Sequence, residues 1–221
     1  MMPPMRGTVA ALLLCTAGLL AAGCGASHEA LPEPTSADVT KAQLRSFASA
    51  VNLRVSDLPG LRLGAGDAVI SPTGSGRATP CSAIAGPTSS EEIPSRALIA
   101  STWETFSVVG AMPSAELASK FIAAAASPRG RSCLTAEGEG SRATYVSSLS
   151  GQFATGGRYA GISEVTPLTE GSPKREHIDI YVFAAGRAVV GLVALGETAP
   201  PVVQEREVLS RLHARAEKHA L

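Results

Sequence analysis

The chain has 221 residues, with 19 basic against 19 acidic side chains, 45% apolar residues and 4% aromatic ones. A balanced charge with no long run of one sign supplies no field for nucleic acid, which excludes a DNA- or RNA-binding role. The apolar share fits one globular domain whose core is built from aliphatic side chains.

Residues 1–23 read as an export signal and stand apart from the fold. Arg6 is followed by GTVAALLLCTAGLLAAG, 17 residues without a charge. That is short of the roughly 20 apolar residues a spanning helix needs and suits a signal core of about 7 to 15. The run ends in Leu20-Ala21-Ala22-Gly23-Cys24, where small residues precede a cysteine as in a bacterial lipobox. Cys24 is therefore the expected lipidation site and first residue of the mature chain, anchoring it to the outer side of the cell membrane. Ordinary secretion with cleavage near Ala26 is the alternative. Cys15 is a poor rival, because the bulky Leu14 before it does not fit a signal peptidase.

The mature chain has 18 basic residues against 19 acidic ones. Its first stretch, residues 24–36, carries Pro, Glu and small residues with no apolar period and is expected to be a flexible tether. His28, alone in that arm, is read as solvated. A single domain is expected over 37–221.

Ser36 is a candidate helix N-cap, and Leu44, Phe47, Ala48 and Val51 repeat at helical spacing, predicting a helix from about Ala37 to Val51 that ends at Asn52 in a left-handed conformation. Pro59-Gly60 marks a turn, and Gly64 and Gly66 are expected to interrupt any regular element. The segment from Ile70 to Pro87 is rich in Pro, Gly, Ser and Thr and contains Gly74-Ser75-Gly76. It lacks the Gly-Lys-Ser/Thr of a phosphate-binding loop. Ala97 to Met112 is expected to be one long strand. It carries Trp103, the one tryptophan, which is read as core or edge packing with a ligand cleft as the functional alternative.

Pro113-Ser114 opens a second helix with Glu116 in its first turn and Ala118, Phe121, Ile122 and Ala125 as its buried stripe. From Arg142 onward, four strand patterns follow: ATYVSSL, RYAGISEV, HIDIYVFA and AVVGLVAL. Ala185-Gly186-Arg187 connects the last two as a hairpin. In the third, Ile178, Ile180 and Val182 take one face and His177, Asp179, Tyr181 and Phe183 the other, with His177 and Asp179 read as part of a solvated polar face. The fourth is apolar on both faces, as for a central strand. A closing helix after Pro200-Pro201 buries Val208, Leu209, Leu212 and Ala216. The order predicts an α+β domain, a central antiparallel sheet of about five strands flanked by helices.

Cys81 and Cys133 remain after the signal and the lipobox have taken the other two cysteines. In an oxidising compartment they are expected to form one disulfide. A bridge closing 53 residues stabilises by roughly 4 kcal/mol in the chain-entropy description. No Cys or His lies at metal-ligand spacing from either, and His213 and His219, six apart on a helix, do not make a metal pair. No cofactor is expected. A hydrolase would have to use His177 beside Asp179, but there is no Gly-x-Ser-x-Gly elbow and no identified serine. The remaining carboxylates are read as surface charge.

AVNLRVSDLPG, PCSAI, STWETFSVVGAMPSAELASKF, the returning cysteine and the strand pair ending in a helix together resemble the extracellular sensor-like domains of actinobacterial lipoproteins and of mycobacterial PknH-type kinases. The resemblance covers roughly Ala37 to Leu221. It implies a central antiparallel sheet flanked by helices, with a cleft for an extracellular ligand. That family commonly carries two disulfides, whereas this mature domain has cysteines for one, and no functional residue transfers by position. The expected function is non-catalytic binding of a small ligand or envelope protein. The alternatives are a carrier of lipid or another apolar ligand and an envelope hydrolase using His177.

Overall fold

A computed structural model describes residues 39–67, 92–130, 145–167, 174–198, 201–219 and 221. Cys24, Cys81, Cys133, the signal 1–23 and the tether 24–36 lie outside the described residues. Among the described residues, no helix is long and apolar enough to cross a membrane.

Helix α1 spans Lys41–Val51 with Thr40 as its N-cap, and the expected cap, Ser36, lies outside the described residues. Thr40 Oγ1 accepts the Gln43 N–H at 3.2 Å, and Gln43 Oε1 accepts the Thr40 N–H at 2.9 Å. This reciprocal capping box satisfies two N–H groups that a helix start leaves open. The helix ends at Asn52, which is extended (φ −51°, ψ 153°) rather than left-handed. Its side chain is committed elsewhere, accepting from Ser107 Oγ at 3.0 Å and donating to Ile93 O at 3.2 Å. A short 3-10 turn, Val55–Asp57, follows.

Nine strands, all paired antiparallel, form one sheet: β1 Arg62–Asp67, β2 Ile93–Pro94, β3 Arg96–Ile99, β4 Trp103–Ala111, β5 Tyr145–Ser148, β6 Gly151–Gln152, β7 Arg158–Pro167, β8 Arg175–Ala185 and β9 Ala188–Gly196. The main path runs β1-β3-β4-β9-β8-β7-β5, with β2 on β4 and β6 on β7. The fold class is α+β as expected, but with nine strands in place of about five.

One of the additional strands comes from the expected long strand. Ala97 to Met112 breaks at an exposed Ser101-Thr102 turn, closed by the Ala100 N–H donating to Trp103 O at 2.8 Å, so β3 folds back on β4. Another is β1, in which Gly64 and Gly66 fall within a register shift between the paired residues Leu63 and Asp67.

The helices divide between the two faces of the sheet. On one, α1 and helix α3 (Val202–Lys218) pack over Leu98, Val109, Tyr181, Phe183, Val190 and Leu192. The expected stripes are the buried ones: Leu44, Phe47, Ala48 and Val51 on α1, and Val208, Leu209, Leu212 and Ala216 on α3. Each fully buried Leu, Val or Phe contributes about 1.5–3 kcal/mol relative to exposure. On the other face, helix α2 (Ala115–Ala126, N-capped by Ser114) sets Ala118, Ile122 and Ala125 against Ala160, Val182 and Val189. Further along that face, Phe106, Val108, Ile162, Ile180 and Val193 form a separate buried cluster to which no described helix contributes. As expected, β9 is central, between β4 and β8, and apolar on both sides.

Candidate functional site

The register places chemistry on the helix-covered face beyond the aliphatic core. One cross-strand row is Thr105, Ala194, Asp179 and Ser163; the next outward is Trp103, Gly196, His177 and Val165. Asp179, Tyr181 and Phe183 share a face because strand side chains alternate. Tyr181 is fully buried, and Gly161 opposite it makes room: an added Cβ there would stand 3.0 Å from Tyr181 Cδ1.

Sequence reasoning assigned His177 and Asp179 to a solvated polar face, and the structure corrects this for Asp179. Asp179 is 3% exposed and Glu205, in the first turn of α3, is 4% exposed. Tyr181 OH donates to Glu205 Oε2 at 2.8 Å, and the Asp179 carboxyl acts on Glu205 from close by. Asp179 Oδ1 and Glu205 Oε1 are buried with no donor among the described residues. Burial and then the neighbouring Asp179 charge push the Glu205 carboxyl up to about 8, against the lowering hydrogen bond from Tyr181. The helix N-terminus also favours a charged acid there, and the low-dielectric surroundings outweigh it.

The opposite end of α3 presents the contrary arrangement. Arg215 donates to Asp57 Oδ1 at 2.6 Å and Oδ2 at 2.8 Å, and also to Val51 O and Asn52 O, while Arg211 donates to Asp57 O at 2.7 Å. Burial raises the Asp57 carboxyl, but hydrogen bonds from Arg215 and the Arg54 N–H, with the charges of Arg215 and Arg211, bring it below its ordinary value. His213 is a core histidine: its ring stacks on Phe153 at 3.9 Å between centroids and meets Phe183 edge-on. Burial lowers its pKa, with Glu217 opposing.

A second set of carboxyls lies on the α2 face of the sheet. Glu104 and Glu164 end one row across Leu195 and Ile178, and Glu176 stands one step further along β8. Burial raises all three, and the Glu104 charge raises Glu176 further. Glu164 Oε1 is buried without a donor.

Trp103, the expected cleft residue, is partly buried at the open end of the helix-covered face, packed against the main core. The start of β4 comes close to β9 here, since a Cβ on Gly196 would meet Thr102 O and both Cα and Cβ of Trp103. His177 is half-buried in the same row, two strands away. Among the described residues no serine hydroxyl bonds His177, and Ser163 faces Asp179 across the strand pair instead. Among the described residues there is also no group of three or more His, Cys, Asp or Glu arranged to hold a metal ion.

Glu205, Glu164 and Asp57, read from the sequence as surface charge, are buried, and so is His213, weighed there only as a metal ligand. Glu205 precedes Val208, Leu209 and Leu212 by three, four and seven, so it lies on the buried stripe of α3. Asp179 likewise alternates in step with Tyr181 and Phe183.

No family model and no curated protein matches the chain. Among solved structures, it is similar to the extracellular domain of PknH from Mycobacterium tuberculosis, with a TM-score of 0.42 and 14% identity, over 83% of this chain and 99% of that one. A likeness of that degree is too low to assign function.

Proposed function

We propose that the chain is a lipid-anchored extracytoplasmic domain that binds a small ligand or an envelope protein without catalysis, at the end of the sheet marked by Trp103 and His177. The anchor is supported by the lipobox-like Leu20-Ala21-Ala22-Gly23-Cys24 and the signal before it. Such an anchor is stable when two acyl chains are present, at about 0.8 kcal/mol per buried methylene. The Cys81–Cys133 bridge belongs to the same reading, as a brace suited to an oxidising compartment.

The observation that carries the binding site is the Trp103–Gly196–His177 row. An indole and an imidazole are both only partly covered, on one sheet face, with a residue lacking a side chain between them. Neighbouring strands lie about 4.8 Å apart, so their backbones stand about 10 Å apart. Two flat, amphipathic rings beside an aliphatic core suit a ligand with an apolar body and a hydrogen-bonding edge.

Native mass spectrometry of the protein extracted from its own membranes tests this. The expected result is a bound mass that Trp103→Ala loses while the acyl mass on Cys24 remains. A bare lipoprotein that also gives no cross-linked partner through this end would contradict it. A second reading, a carrier of an apolar ligand, draws on the Phe106, Val108, Ile162, Ile180 and Val193 cluster outside the reach of the described helices. Co-purified lipid that survives Trp103→Ala would favour it.

A further inference from the structure

Glu205 and Asp179 meet as two buried carboxyl groups, and among the described residues the polar groups acting on Glu205 are Asp179 and Tyr181. Tyr181 OH is used on Glu205 Oε2, leaving Asp179 Oδ1 and Glu205 Oε1 as buried acceptors with no donor. Two ionised carboxylates in contact in a low-dielectric site repel each other, and an unpaired buried acceptor carries its full desolvation cost. Both problems vanish when one proton lies between them. We infer that Asp179 and Glu205 share a single proton, and that this proton is a pH-sensitive latch fastening the first turn of α3 to strand β8.

The surroundings make the latch depend on that proton. From β8, the groups facing the pair are Tyr181 and, further out, His177 and Arg175. From β7 it is the uncharged Ser163, and from β9 and β4 they are Ala194 and Thr105. On α3 the adjacent charge is Arg206, which is exposed and acts weakly on Tyr181 rather than on Glu205. Thr105 Oγ1 is committed to Val193 O at 2.8 Å. The guanidinium of Arg215 lies ten residues along the helix, about 15 Å away. Among the described residues, no cation is therefore placed to replace the proton when it leaves.

Because the folded carboxyl titrates above its ordinary 4.5, the contribution is complete below pH 4.5 and is lost as pH rises toward 8. Inside that window each pH unit opens the latch by up to tenfold, the ratio that corresponds to 1.36 kcal/mol. The inference does not rest on what the Trp103 end binds.

Amide hydrogen exchange on the full-length protein in detergent, followed between pH 5 and 8.5 and corrected for base catalysis, reads it. In the wild type, protection of residues 202–207 should fall by tenfold or more as pH rises, while the Leu212–Lys218 end of α3 stays protected. Glu205→Gln, whose amide donates permanently to Asp179, should hold the first turn closed across the range and raise Tm at pH 8.5. Wild-type protection at 202–207 that is flat with pH would overturn the latch, with or without a folded variant. So would a Glu205→Gln protein that opens in step with the wild type.

Discussion

Helix α3 is fastened at both ends by a buried acid, and the two ends are opposites. At the C-terminal end, Asp57 receives a bidentate guanidinium, a backbone N–H and a second arginine nearby. At the N-terminal end, Glu205 and Asp179 have one tyrosine hydroxyl and each other. One acid is held below its ordinary pKa and the other above it. The sign of a buried acid's shift follows from the donors that reach it, more than from how deeply it is buried. One helix can thus carry a contact that holds through neutral and alkaline pH and another that titrates.

The largest effect expected from breaking this contrast is at Arg215. Arg215→Ala removes both bonds to Asp57 and those to Val51 O and Asn52 O, stranding a buried carboxylate. Loss of one partner of a buried pair costs about 3–5 kcal/mol, measurable by urea unfolding. Next is Tyr181→Phe, which takes the one hydroxyl from Glu205 and should cost about 1–3 kcal/mol. Its loss should be greater at pH 8.5 than at pH 5, because the missing donor matters most to the ionised acid. For scale, Thr40→Ala at the exposed cap of α1 should cost about 1 kcal/mol and show no dependence on pH between 5 and 8.5.

The same contrast sets the acid limb. Asp57 has a lowered pKa, so its contribution is present above 3.8 and lost as pH falls through the folded value. His213, also lowered but from 6.5, stabilises above 6.5 and loses that contribution on acidification. Between pH 6.5 and 4.5 the His213 loss is opposed by the gain from Glu205, so thermal melts should drop mainly where Asp57 protonates, below 3.8, and Arg215→Ala should flatten that drop.

Local periodicity made much of this fold legible in the residues. The stripes of α1 and α3, the alternation of β8 and the doubly apolar β9 all follow from spacing alone. The β3–β4 turn did not, because Ser101 and Thr102 suit a strand as well as a turn, and tertiary pairing decides between them. Nor did β1, where Gly64 and Gly66 read as breakers, yet Leu63 before them and Asp67 after them both pair with β3 across a register shift. The acid pair lay midway between these cases. Glu205 and Asp179 sit on the correct periods, yet charge argued for the surface, and their partnership spans two elements that no local pattern connects. The Asp57–Arg215 pair, 158 positions apart, was illegible for the same reason.

The measurement that bears most directly on the two-ended account of α3 is a carboxyl carbon NMR titration of the intact protein, following Asp57 and Glu205 together. The account predicts that Asp57 titrates below 3.8 while Glu205 stays protonated past neutrality, to about 8. Both groups titrating together near ordinary carboxylate values would contradict it.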